Sequence, residues 1–98
     1  MKGFYGKLLS INLTNQGFDE KIIEQAVLEQ YLGAKGLGAY LLNTYNPPMV
    51  DALDPANNLI FSTGPAASSP VWGSSRYGVF TKSPLTGFFS ESYSGGRV

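Results

Sequence analysis

Hydrophobic spacing changes twice along this chain, and those changes limit what it can fold into. Leu9, Ile11 and Leu13 alternate with Ser10 and Asn12, the period of two that sets one face of a strand against a core. Asn15-Gln16-Gly17 is a turn sequence, with Gly17 free to take a left-handed conformation. Phe18 to Ile23 is then expected to return as the second arm of a hairpin. From residue 24 the spacing becomes helical. Ala26, Val27, Gln30 and Tyr31 follow it, Leu28 and Leu32 widen the apolar stripe, and Gly33 fits a C-terminal cap. Leu37, Tyr40 and Leu41 mark a second short helix, Leu37 to Leu42, with Gly36 and Gly38 at its start. Asn46-Pro47-Pro48 ends it, because the residue before proline is pushed out of the helical region.

Period two then resumes. Leu59-Ile60-Phe61 reads as a short buried strand ended by Thr63-Gly64-Pro65. Ala66 to Ser75 is rich in small residues and has no period, a loop where backbone can approach a ligand closely. Tyr77, Val79 and Thr81 alternate with Gly78 and Phe80 as another strand. Ser83-Pro84-Leu85-Thr86-Gly87 is a tight connection, with proline setting φ and glycine supplying positive φ. Phe88 to Ser92 forms the return strand. The order β–β–α–α–β–β–β predicts an α+β fold of β-hairpins and a small sheet with two short helices. Ser94-Gly95-Gly96 followed by Arg97 and Val98 would lead naturally into another element. Residues 1–98 are therefore expected to be a single segment, truncated or part of a longer polypeptide.

Composition removes several chemistries. There is no Cys, hence no disulfide, no iron–sulfur ligation and no thiolate within this segment, and no His, the commonest general base. Charged residues make up 14%, against roughly 25% in a typical soluble domain. Lys plus Arg and Asp plus Glu balance at 7 each, which gives no electrostatic footprint for nucleic acid. No apolar run approaches the ~18 residues of a membrane span, and the N-terminus lacks the apolar region of a signal peptide. A cytoplasmic location is expected. Asp19, Glu20, Glu24 and Glu29 read as surface charges, Asp51 and Asp54 lack the companions of a calcium site, and no pair of acids is placed for proton transfer.

What remains points to anions. Successive amides in Ser94-Gly95-Gly96 can form an anion-binding nest, where glycine lets a phosphate reach the backbone; an ordinary turn is the plainer alternative. Arg76, before a strand, can clamp a phosphate with two parallel hydrogen bonds, or stand as a solvated strand-end charge. Lys82 has the same parity as Arg76, so both are expected on one side. Residues 57–98 hold three basic groups (Arg76, Lys82, Arg97) and one acid, Glu91. Trp72 reads as a packing anchor or interface residue.

Four stretches together resemble a known family. They are GKLLSINLT (Gly6 to Thr14), YLGAKGLGAYLL (Tyr31 to Leu42), DALDPANNLIFSTGP (Asp51 to Pro65) and SRYGVFTKSPLTGFFSESYSGG (Ser75 to Gly96). In order and separation they are similar to the N-terminal region of the aldehyde ferredoxin oxidoreductases. The resemblance implies a cytoplasmic tungsten or molybdenum enzyme that oxidises aldehydes to carboxylic acids and passes electrons to ferredoxin. It implies a metal held by two pterins (tungstopterin or molybdopterin) with a bridging magnesium, and a [4Fe–4S] cluster in the full-length enzyme. The N-terminal domain would be a two-sheet α+β cofactor platform, and this chain its first half. Arg76 matches the family's pterin-contacting arginine. Tyr93 stands where the family often has Asn, whose backbone carbonyl is a magnesium ligand. Gly95 matches a glycine whose backbone meets the cofactor. The family's cluster cysteines and acid/base residues lie downstream, so no catalytic residue is expected here and the segment alone would be inactive. Its partners would be the remainder of the polypeptide and, through it, ferredoxin and an aldehyde, with no nucleic acid and no membrane. The alternative from another class is a stand-alone, non-catalytic assembly module of the same fold. It would self-associate as a homo-oligomer through Trp72, Phe88 and Phe89.

Overall fold

Residues 7–22 fold back on themselves because two asparagines close the turn. The computed structural model describes residues 4–67 and 69–95. Strand β1 (Lys7–Asn12) pairs antiparallel with β2 (Gly17–Ile22), from Lys7↔Ile22 to Asn12↔Gly17. Asn12 Oδ1 accepts the amide of Thr14 at 3.0 Å and Asn15 Oδ1 accepts that of Gly17 at 2.9 Å. Gly17 is already a ladder residue, so Gln16, not Gly17, carries the positive φ of 57°. The face turned to the core also differs from expectation. Leu8 packs toward the helices, while Leu9 and Ile11 are more than half exposed and share their face with Phe18 and Ile22. The strand has apolar residues on both faces, and the helices cover one.

Helix α1 (Gln25–Tyr31) is short and buries Leu28. The sequence assigns its end to Gly33, but the reversal falls one residue earlier. Leu32 has φ 63° and ψ −74°, and the Gly33 amide donates to Tyr31 O at 2.8 Å. That is a γ-turn centred on Leu32, a strained conformation. Gly33 has extended backbone, and its lack of a side chain serves close packing: a Cβ would lie 2.5 Å from Thr63 O. Helix α2 (Ala34–Tyr45) begins earlier and ends later than its apolar stripe. It stops at Asn46, extended at φ −78° and ψ 134° before Pro47, as the sequence predicts. Leu37 and Leu41 join Leu28 in the core with Phe4, Leu8, Ile23, Val27 and Ile60 around them. Tyr31 and Tyr40 stack between the helices at 4.5 Å.

Strands β3 (Ile60–Thr63), β4 (Arg76–Lys82) and β5 (Phe89–Gly95) form a second antiparallel sheet with β4 in the middle. The β4–β5 turn contains Gly87 at φ 74°, and Gly87 N–H donates to Ser83 O at 2.8 Å. Helix α2 lies across β3 and β4. Phe80 is fully buried, and a Cβ on Gly38 of α2 would come within 2.4 Å of its ring. The loop between α2 and β3 is held by amide side chains. Asn46 Oδ1 accepts from the backbone and side chain of Asn58, and Asn57 Nδ2 donates to Ala52 O at 2.8 Å. Thr81 Oγ1 closes the set by donating to Asn58 O at 2.8 Å.

Gly38→Ala tests the packing directly. Alanine is favoured over glycine in a helix interior by about 1 kcal/mol. Here its methyl group meets the Phe80 ring, so the substitution is expected to destabilise by about 1–3 kcal/mol, read as a lower urea midpoint. A raised midpoint would mean the helix and sheet separate without cost.

Candidate functional site

Strand register brings the sequence-predicted residues together at one end of the second sheet. Arg76, the first residue of β4, is the Cα partner of Gly95, the last of β5, and Gly78 is the partner of Tyr93. Alternation along each strand puts Arg76, Gly78 and Phe80 on one face with Gly95, Tyr93 and Glu91. Arg76, Tyr93 and Gly95 are all exposed.

The hydrogen-bond phase of the ladder decides where their main-chain groups point. Ser83 N–H donates to Phe88 O at 2.8 Å, which makes 83↔88 a bonded pair. Bonded and non-bonded pairs alternate in an antiparallel ladder. Counting back through the register, Tyr93 and Gly95 fall in non-bonded pairs, with N–H and C=O turned away from β4. On that side β5 has no neighbouring strand among the described residues. Two outward carbonyls and two outward amides therefore line the open edge of the strand that pairs with Arg76. A Cβ on Gly95 would sit 3.2 Å from Ser75 O and 3.6 Å from Arg76 Cγ, so glycine keeps this corner clear. Arg76 N–H donates to Ser74 O at 3.0 Å, which holds the strand's first residue to the loop before it.

Other expected members of the site lie elsewhere. Lys82 shares the face of Arg76 but stands six residues along, about 20 Å away at strand rise. Its Nζ donates to Val50 O and anchors the loop instead. Gly96 and Arg97 lie outside the described residues. Trp72 and Phe88 are exposed, while Phe89 stacks on Phe80 with ring centroids 6.1 Å apart. A cleft of about 450 Å³, lined by Leu42, Met49, Val50 and Phe88, sits at the Lys82 end and includes none of the three candidate residues.

Sequence reasoning missed Lys35. From the start of α2 its Nζ reaches Glu91 Oε2 at 2.9 Å. The hydrogen bond to Glu91 and its charge raise the Lys35 pKa above the ordinary 10.5. No spacing rule pairs residues 56 apart in the chain, so the sequence carried no signal for it. The pair neutralises the one acid of residues 57–98 and leaves Arg76 as the uncompensated charge at this end among the described residues. Chemically the corner offers a forked cation, outward amides and outward carbonyl oxygens. That donor set fits a phosphate together with a magnesium ion, since magnesium takes few protein ligands and completes its shell with phosphate oxygens and water. Among the described residues no cluster of three or more His, Cys, Asp or Glu is placed to hold a metal.

Residues 8–98 match the family described as aldehyde ferredoxin oxidoreductase, N-terminal domain. The chain is 41% identical over 96 residues to a tungsten-containing aldehyde ferredoxin oxidoreductase of Pyrococcus abyssi, covering 98% of this chain and 16% of that protein. It is 38% identical, with the same coverage, to the enzyme of that name from Pyrococcus furiosus. A WOR-like subunit of an aliphatic sulfonate oxidoreductase from Pyrococcus furiosus is 30% identical over 87 residues, 86% of this chain and 14% of that protein. Among solved structures, the active-site complex BamBC of benzoyl coenzyme A reductase with 1,5-dienoyl-CoA superposes with a TM-score of 0.89 at 32% identity. The match covers 94% of this chain and 14% of that one. The chain thus spans 16% of the length of the curated aldehyde oxidoreductases it matches.

The Lys35–Glu91 pair has a pH signature. A raised folded pKa means its contribution is present below 10.5 and lost as pH rises through the folded value. Thermal melts of wild type and Lys35→Met are expected to differ at neutral pH and to converge at strongly alkaline pH. A difference that persists there would assign the effect to the lysine's alkyl chain.

Proposed function

This chain belongs to the aldehyde ferredoxin oxidoreductase family as its N-terminal domain, and we propose that its role is to seat a tungsten or molybdenum bis-pterin cofactor with its bridging magnesium. The observation that carries this reading is the shared corner of Arg76, Tyr93 and Gly95, with main-chain groups turned to the open edge of β5. Arg76 grips phosphate oxygens through its planar fork, a geometry lysine does not reproduce. Gly95 lets the cofactor approach the backbone and offers an amide to an anion. The carbonyl of Tyr93 donates an oxygen to magnesium. When bound, the cofactor supplies the redox chemistry at its metal; these residues position it.

In the whole protein we assign the family reaction, an aldehyde oxidised to a carboxylic acid with electrons passed to ferredoxin through a [4Fe–4S] cluster. The ligands of that cluster lie outside this segment. Relatives named for an aliphatic sulfonate and for benzoyl coenzyme A match this same segment. That distribution supports a seating role for the domain, with substrate choice made elsewhere in the chain. In this reading residues 1–98 are the first half of a two-sheet platform, the remainder of the polypeptide is the principal partner, and the enzyme works in the cytoplasm.

Arg76→Ala in the full-length enzyme tests the proposal. Losing a charge-assisted hydrogen-bond pair of about 1.5–3 kcal/mol is expected to speed the loss of pterin and tungsten or molybdenum during dialysis about ten- to a hundredfold. Arg76→Lys should fall between. Full occupancy in Arg76→Ala would remove Arg76 from the site.

A further inference from the structure

Strand interiors disfavour glycine, yet Gly78 sits near the middle of β4 without a positive φ to require it. Space is the reason. A Cβ there would lie 2.4 Å from Phe80 Cζ and 3.0 Å from Tyr93 Cε1. The Tyr93 ring lies over its cross-strand partner Gly78 and meets Phe80 edge-on, with ring centroids 5.9 Å apart. Phe80 is itself pressed against Gly38 of α2. The side chain of Tyr93 is thus tied through Phe80 to the helix, while the carbonyl of the same residue points along the sheet plane to the open edge.

That coupling matters because Tyr93 is two residues from the end of an edge strand, where one-sided pairing leaves the backbone prone to fray. Glu91, its neighbour on the same face, is held by Lys35. We infer that the ring of Tyr93 is a positioning group: by covering Gly78 and docking on Phe80 it fixes the direction of its own carbonyl toward a divalent cation. The inference rests on the reading of that carbonyl as a magnesium ligand. It assigns a role to the side chain, which a main-chain ligand does not by itself require.

The test uses the full-length enzyme isolated with its cofactor. Magnesium and tungsten or molybdenum per chain are measured by plasma mass spectrometry, then magnesium loss is followed during dialysis against EDTA. Tyr93→Ala keeps the carbonyl and removes the ring. It is expected to lose magnesium about five- to tenfold faster than wild type, the size of one edge-to-face aromatic pair, and Tyr93→Phe is expected to rescue retention. Magnesium loss from Tyr93→Ala at the wild-type rate would overturn the inference while leaving the seating reading intact. Wild-type enzyme that holds pterin without magnesium would overturn the inference together with the magnesium role of the Tyr93 carbonyl on which it rests. If Tyr93→Ala does not fold, Tyr93→Leu covers Gly78 without a flat ring edge. Faster loss than in Tyr93→Phe supports the inference, and an equal rate overturns it.

Discussion

The fold turns on one aromatic ring placed between two glycines. Phe80 has no exposed surface, and its ring occupies the space that a Cβ would need both on Gly38 of α2 and on Gly78 of its own strand. Interiors pack at crystal-like density, so a ring held this closely fixes the distance between helix and sheet. Phe89 and Tyr93 of β5 then pack on Phe80 from the neighbouring strand. Through these contacts one residue sets the position of α2, the middle strand and the edge strand together. The candidate site, at the end of that strand pair, is tied to Phe80 through the ring of Tyr93.

The corner itself is built mostly from backbone. Arg76 is its one cationic side chain, and the rest is the phase of a ladder that turns alternate carbonyls and amides outward. Electrostatics complete it from a distance. Lys35 occupies Glu91, so the carboxylate nearest to Tyr93 along its face is already paired. A site of this kind binds and orients. In the role proposed for it, the corner would position a cofactor that carries the chemistry.

Much of this was legible in the sequence for identifiable reasons. Element order followed from period changes, and the stop at Asn46-Pro47 followed from proline sterics. Arg76 and Gly95 stood out because a forked cation and a glycine turn are phosphate chemistry, but Ser94 and Gly95 lie in strand β5, so their amides point to opposite sides and form no nest of successive donors. The misreadings share a cause, which is tertiary contact acting over local preference. Gly33 was needed against Thr63, so Leu32 took the strained turn. Gly17 was needed in the ladder, so Gln16 took the positive φ. Alternation at Leu9 and Ile11 identified a strand but not its buried side, because Leu8 supplied an apolar residue to the other face. Lys35 and the hydrogen-bond phase of β5 depend on strand register and on separations no local pattern encodes.

The β4–β5 turn carries a consequence out of proportion to its place at the far end of the sheet. The pairing of Ser83 with Phe88 starts the count that leaves Tyr93 and Gly95 with outward main-chain groups. A strand has parity two, so slipping this register by one residue would swap both the faces and the bonded pairs. The carbonyl of Tyr93 would turn into the ladder, and Gly95 would leave its place opposite Arg76. The residues from Ser83 to Phe88 thus act as a phase marker, and their number is as much a determinant of the site as the identity of any residue within it.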